Sequence, residues 1–77
     1  MRIRRINMSV VEKGRVLQSE EKEYTNESQW MVSYFNLIAL LATKGYRNQS
    51  KVMEPRHDKV RTMFNSAKGR TIIVRRF

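Results

Sequence analysis

Seventy-seven residues with 40% apolar content make one domain, residues 1–77, at a size where folding hides only about 60 to 65% of the surface that an unfolded chain exposes. The chain has no cysteine, which excludes a disulfide framework, a thiolate zinc site and a cysteine nucleophile, and fits a reducing compartment. Sixteen Lys and Arg stand against seven Asp and Glu, a net +9, and that much like charge costs folding energy through self-repulsion, so an anionic partner is expected.

The longest apolar run, Leu37 to Ala42, is far too short to cross a bilayer. Met1-Arg2-Ile3-Arg4-Arg5 carries charge with no apolar stretch behind it, unlike a secretory leader, so a cytoplasmic protein is expected.

Residues 2 to 11 alternate, with Ile6, Met8 and Val10 on one face and Arg5, Asn7 and Ser9 on the other, the period of a strand. Glu12-Lys13-Gly14-Arg15 then offers a glycine for a tight turn, and a second strand starts at Arg15, so the chain opens on a β-hairpin. The return strand runs into Glu20 to Glu27, which holds four of the seven acidic residues. Carboxylates around a first turn favour the positive end of a helix dipole, and Asn26 with Gln29 three residues on resembles a capping box.

A helix is expected from Glu27 to Lys44, with Gly45 placed for a left-handed C′ position. Its apolar arc combines Trp30, Tyr34, Leu37 and Leu41 with Met31, Phe35, Ile38 and Ala42, wider than a surface helix needs. Such a helix is either the central core element or, in part, the interface of a homodimer, and the weight of its aromatics favours the core. Pro55 and Gly69 bracket Val60, Met63, Phe64 and Ala67 at helical spacing, so a second helix is expected there. The competing reading takes Val60, Thr62 and Phe64 as one face of a strand turning at Lys68-Gly69. Arg70 to Phe77 holds three consecutive β-branched residues and reads as a central strand. The expected class is α+β, an antiparallel sheet packed by helices in the order ββααβ, with ββαββ as runner-up.

Arginines are the leading candidates for function. Arg2, Arg4 and Arg5 begin the first strand and Arg75 and Arg76 end the last; if these strands are antiparallel neighbours, five guanidiniums gather at one end of the sheet. Guanidinium forks bind phosphate oxygens in pairs and keep their charge at any physiological pH. A second basic stretch comprises Lys44, Arg47, Lys51, Arg56, Lys59, Arg61, Lys68 and Arg70. Residues 28 to 77 carry ten basic groups against two acidic ones. Lys-Gly-Arg occurs twice, as Lys13-Gly14-Arg15 and Lys68-Gly69-Arg70, and glycine lets such a turn approach a phosphate backbone closely. Tyr46, beside Arg47, is placed either to stack on an unpaired base or to pack over the helix end.

Catalysis finds little support. His57 is the only histidine, Asp58 beside it would point elsewhere on a helix, and no metal-ligand spacing, phosphate loop or dinucleotide motif is present, so neither a metal nor a cofactor is expected. The expectation is a non-catalytic binder of nucleic acid, DNA or RNA, or of a nucleoprotein machine, acting as a regulator or inhibitor of the kind encoded by phages and mobile elements. The alternatives are an inhibitor that binds a host protein directly and a small toxin-like ribonuclease that works with Lys, Arg, Tyr and Glu.

Overall fold

A computed structural model describes residues 3–50 and 58–77. The element order is β1 (Arg4–Glu12), β2 (Arg15–Tyr24), α1 (Glu27–Thr43), β3 (Arg47–Asn48), β4 (Val60–Asn65) and β5 (Arg70–Arg76). The strands form one antiparallel sheet in the order β2-β1-β5-β4-β3, so the α+β class holds, with one helix among the described residues.

The opening hairpin is a two-residue turn in which Lys13 (φ 52°) and Gly14 (φ 76°) both take positive φ, the type I′ geometry that suits the twist of the flanking strands. Lys13 is a poor residue for that conformation, and asparagine a good one. Lys13→Asn is expected to stabilise the fold by roughly 0.5 to 1 kcal/mol, read as a higher urea midpoint at unchanged slope.

Helix α1 starts where the capping pattern places it. The Asn26 side chain accepts a hydrogen bond from the Gln29 N–H at 3.1 Å. At the other end, Gly45 (φ 91°) donates to Ala42 O at 3.2 Å and Tyr46 donates to Leu41 O at 3.0 Å, the two bonds of a Schellman motif. Both Leu41 and Tyr46 are buried, which supplies the apolar contact that accompanies this cap.

The expected second helix is corrected over Val60–Asn65, which is strand β4; Pro55 and His57, at its proposed start, lie outside the described residues. Met63 is buried on the helix-facing side of the sheet while Val60 is half exposed and Ala67 lies in the turn, so the apolar set read at helical spacing is split. Period two wins because β5 is a central strand, and a strand here supplies its outer edge with hydrogen-bonding partners from Val60 to Asn65. Gly69 (φ 61°) serves the turn between β4 and β5 instead of ending a helix.

The core lies between α1 and one face of the sheet: Ile6 and Val10 of β1, Ile72 and Val74 of β5, and Met63 of β4 meet Trp30, Tyr34 and Leu41. The wide apolar arc of α1 is thus spent mainly on the core, with Val32 and Leu40 left exposed. The helix is not long and apolar enough to cross a membrane.

Candidate nucleic-acid interface

Strand register decides where the cations go. β1 and β5 are antiparallel neighbours, as the terminal-arginine cluster requires, with Ile6 opposite Arg76 and Asn7 opposite Arg75. Yet most of that cluster is engaged internally. Arg4 lies 3.4 Å from the Glu27 carboxylate with its guanidinium 4.8 Å from the centre of the Trp30 ring, and Arg5 lies 3.8 Å from Glu23.

Arg76 shares the parity of Ile72 and Val74, so it points into the core and is only 3% exposed. Its guanidinium sits within 5.3 Å of the ring centres of Trp30, Tyr34 and Phe35, and its Nε donates to the Asp58 carbonyl. Arg76 is therefore removed from the expected phosphate clamp. Arg75, one residue earlier, is exposed on the opposite face of the sheet, and Lys59 is exposed beside the start of β4.

Arg61 is likewise diverted. Its Nε donates to Asp58 at 2.8 Å, a second guanidinium nitrogen lies 2.6 Å from the same carboxylate oxygen, and the Tyr34 hydroxyl donates to the other oxygen at 3.2 Å. Asp58 is buried, and the acceptor bonds from Tyr34 and Arg61 satisfy its charge. That bond to Asp58 also raises the Arg61 pKa. Burial first, and then the neighbouring carboxylate, hold the Tyr34 hydroxyl well above the ordinary tyrosine value.

A raised folded-state pKa contributes stability that is complete below the unfolded value near 10 and is lost as the pH climbs beyond it. The urea midpoint is therefore expected to fall above about pH 10, and Tyr34→Phe to flatten part of that fall. Identical pH profiles for the two proteins would contradict it.

Tyr46 is corrected as a stacking residue. It is 5% exposed, tucked under the helix end by the Gly45 turn, so the packing alternative is the one observed. Arg2, Lys51 and Arg56 lie outside the described residues.

The opposite end of the sheet is different. Glu12 of β1 is opposite Arg15 on one side and Arg70 on the other, and Arg70 is opposite Asn65. The two Lys-Gly-Arg turns therefore lie side by side, with Arg15 and Arg70 two strand spacings apart, roughly 10 Å. The C-terminus of α1 reaches the same end. The buried Asn65 side chain donates to the Lys44 carbonyl at 3.2 Å and accepts from the Lys68 N–H at 3.2 Å, so one amide fixes both cation-bearing segments. Arg47, exposed on β3 opposite Phe64, flanks them.

This rim gathers Lys13, Arg15, Lys44, Arg47, Lys68 and Arg70 against the single carboxylate of Glu12, a net +5. The remaining described residues carry seven cations and five carboxylates, a net +2. Five of the six rim cations are exposed, Arg70 is half-buried, and none forms an ion pair among the described residues.

Sequence reading located both turns but not their adjacency. A pointer existed in the parity of the strands, which sets Arg70 and Glu12 on matching positions once β1 and β5 pair. No cluster of three or more metal-ligating side chains occurs among the described residues. Comparison with protein-family models, with curated proteins and with solved structures gives no match.

Proposed function

We propose that the chain binds the phosphate backbone of a nucleic acid, alone or within a nucleoprotein machine, through the rim built from its two Lys-Gly-Arg turns, Lys44 and Arg47, and acts there as a regulator or inhibitor without catalysis. The observation that carries this reading is the alignment of the two turns at one end of the sheet, which makes a net +5 surface from segments 55 residues apart in the chain (Lys13 to Lys68). The positive φ of Gly14 and Gly69 and the open space around both glycines leave these turns free of side-chain obstruction toward a backbone. The densest polar cluster, Tyr34 with Asp58 and Arg61, is by contrast closed and internally satisfied, a stabilising rather than a reactive arrangement.

Phosphate contact makes affinity depend on salt. With six cations engaged on duplex DNA, the log-log slope of affinity against salt is expected at roughly −5, and the affinity should differ little between unrelated sequences. Fluorescence anisotropy on labelled duplex and single-stranded probes measures it. Affinity that stays flat from about 50 to 300 mM salt rejects phosphate recognition and leaves direct binding to a protein partner as the reading to pursue.

A further inference from the structure

The core occupies one face of the sheet, and strand register fixes what stands on the other. Directly opposed residues share a face, so Val16, Val11, Thr71, Phe64 and Arg47 form one row through all five strands, beside the cationic rim. Val11, Thr71 and Phe64 are each next in sequence to a core residue (Val10, Ile72 and Met63), so this row lies on the face away from α1. Phe77 reaches the same face further along. Its N–H donates to Arg5 O at 2.8 Å and its carbonyl accepts from the Arg5 N–H at 3.4 Å, so it stands opposite Arg5 and keeps the parity of Thr71, Ile73 and Arg75.

The aromatic side chains divide between the two faces. Trp30, Tyr34 and Tyr46 are in the core, and Tyr24 and Phe35 pack against it. Phe64 and Phe77 are the two that the core does not use, and both stand on the open face, Phe64 half-buried and Phe77 59% exposed. No helix or strand of the described residues packs over them.

Charge on this face is one-sided. From β3 to β5 it carries Arg47 and Arg75, both exposed and without an ion pair among the described residues, and no carboxylate. Its carboxylates, Glu21 and Glu23, sit on β2 at the far edge. The track from Phe64 to Phe77 therefore begins at the net +5 rim, has a ring at each end and sets an arginine near each ring. Such a track is complementary to a polymer that alternates flat bases with phosphates. A duplex keeps the faces of its bases stacked on one another, so only an unpaired strand can use the rings.

Resting on the phosphate-binding reading of the rim, we infer that the polymer held there is single-stranded and continues from the rim across the open face, with bases stacked on Phe64 and Phe77 and phosphates at Arg47 and Arg75. The two rings are attached roughly 20 Å apart along the strand direction, so each takes a different base. Stacking is indifferent to the sugar, and an unpaired strand of DNA or of RNA meets the same chemistry.

Ring removal tests the track. Fluorescence anisotropy is read on a labelled oligothymidylate of about 12 nucleotides, on the oligouridylate of equal length and on a DNA duplex. Phe64→Leu and Phe77→Ala should each lower affinity for the single strand at least about fivefold, leave its salt slope unchanged and alter duplex affinity by less than about twofold, whereas Phe64→Tyr keeps the ring and the affinity. The tighter of the two single strands identifies the polymer. Circular dichroism checks the fold of each variant; if Phe64→Leu is unfolded, Phe77→Ala, at an exposed position, decides alone. A folded ring variant that binds the single strand within about twofold of wild type overturns the inference, and so does an equal loss on the duplex. The rim is judged separately by the salt slope of the wild-type chain. A normal slope with no effect of the rings keeps the rim and rejects the track, and a flat slope with a ring-dependent loss does the reverse.

Discussion

Replacing Asp58 with alanine is expected to cost the fold about 3 to 5 kcal/mol, a large share of the total stability of so small a domain. The carboxylate accepts from the Tyr34 hydroxyl and from two nitrogens of Arg61, while the carbonyl of the same residue accepts from Arg76 Nε. Without the carboxylate, a hydroxyl that is wholly buried and a guanidinium on a side chain only 12% exposed lose their acceptors together. For a domain of this size the midpoint of thermal unfolding should drop by at least about 12 °C. Arg61→Ala should be less damaging once Asp58 is already gone, giving a coupling energy of about 1 kcal/mol or more in a double-mutant cycle. An Asp58→Ala protein within about 1 kcal/mol of wild type would mean that the cluster is not a structural keystone.

Neutralising the rim should abolish most of the binding while leaving the fold intact. In Lys13→Gln/Arg15→Gln/Lys44→Gln/Lys68→Gln all four sites are exposed and none forms an ion pair among the described residues, so circular dichroism and urea midpoint should change little. Each phosphate contact contributes about 0.9 to the salt slope, so losing four should flatten it by about 3.6 and lower affinity on the order of a thousandfold near 0.1 M salt. Arg5→Gln is the comparison, because that side chain lies beside Glu23 at the other end of the sheet and should change affinity by less than about tenfold. Equal losses from both variants would indicate diffuse attraction by net charge in place of a localised surface.

What could be read from the sequence follows from whether the deciding physics is local. The hairpin, both helix caps and the last strand were legible because a turn glycine, an Asn26–Gln29 cap and a run of β-branched residues act within a few residues of themselves. The stretch Val60 to Asn65 was misread because Val60, Met63 and Phe64 satisfy a helical spacing while Val60, Thr62 and Phe64 satisfy an alternating one. The choice between them is made by β5, which needs a neighbour on its outer edge. Arg75 and Arg76 look alike as sequence and part company only because Arg76 shares the parity of Ile72 and Val74. The rim was half legible. Each Lys-Gly-Arg was recognisable as a turn, but their meeting depends on the pairing of β1 with β5, which joins residues more than sixty positions apart (Ile6 with Arg76).

That same pairing governs assembly. The central strand of the sheet is the last in chain order and one of its two neighbours is the first, so the hairpin of β1 and β2 has its inner border unfilled until β5 has been made. During synthesis Ile6, Val10, Trp30 and Tyr34 lack their final neighbours until Ile72 and Val74 have been made, so the core can close only late. Trimming residues 70 to 77 would thus remove the centre of the architecture, whereas shortening the solvent-facing β2 would only narrow it.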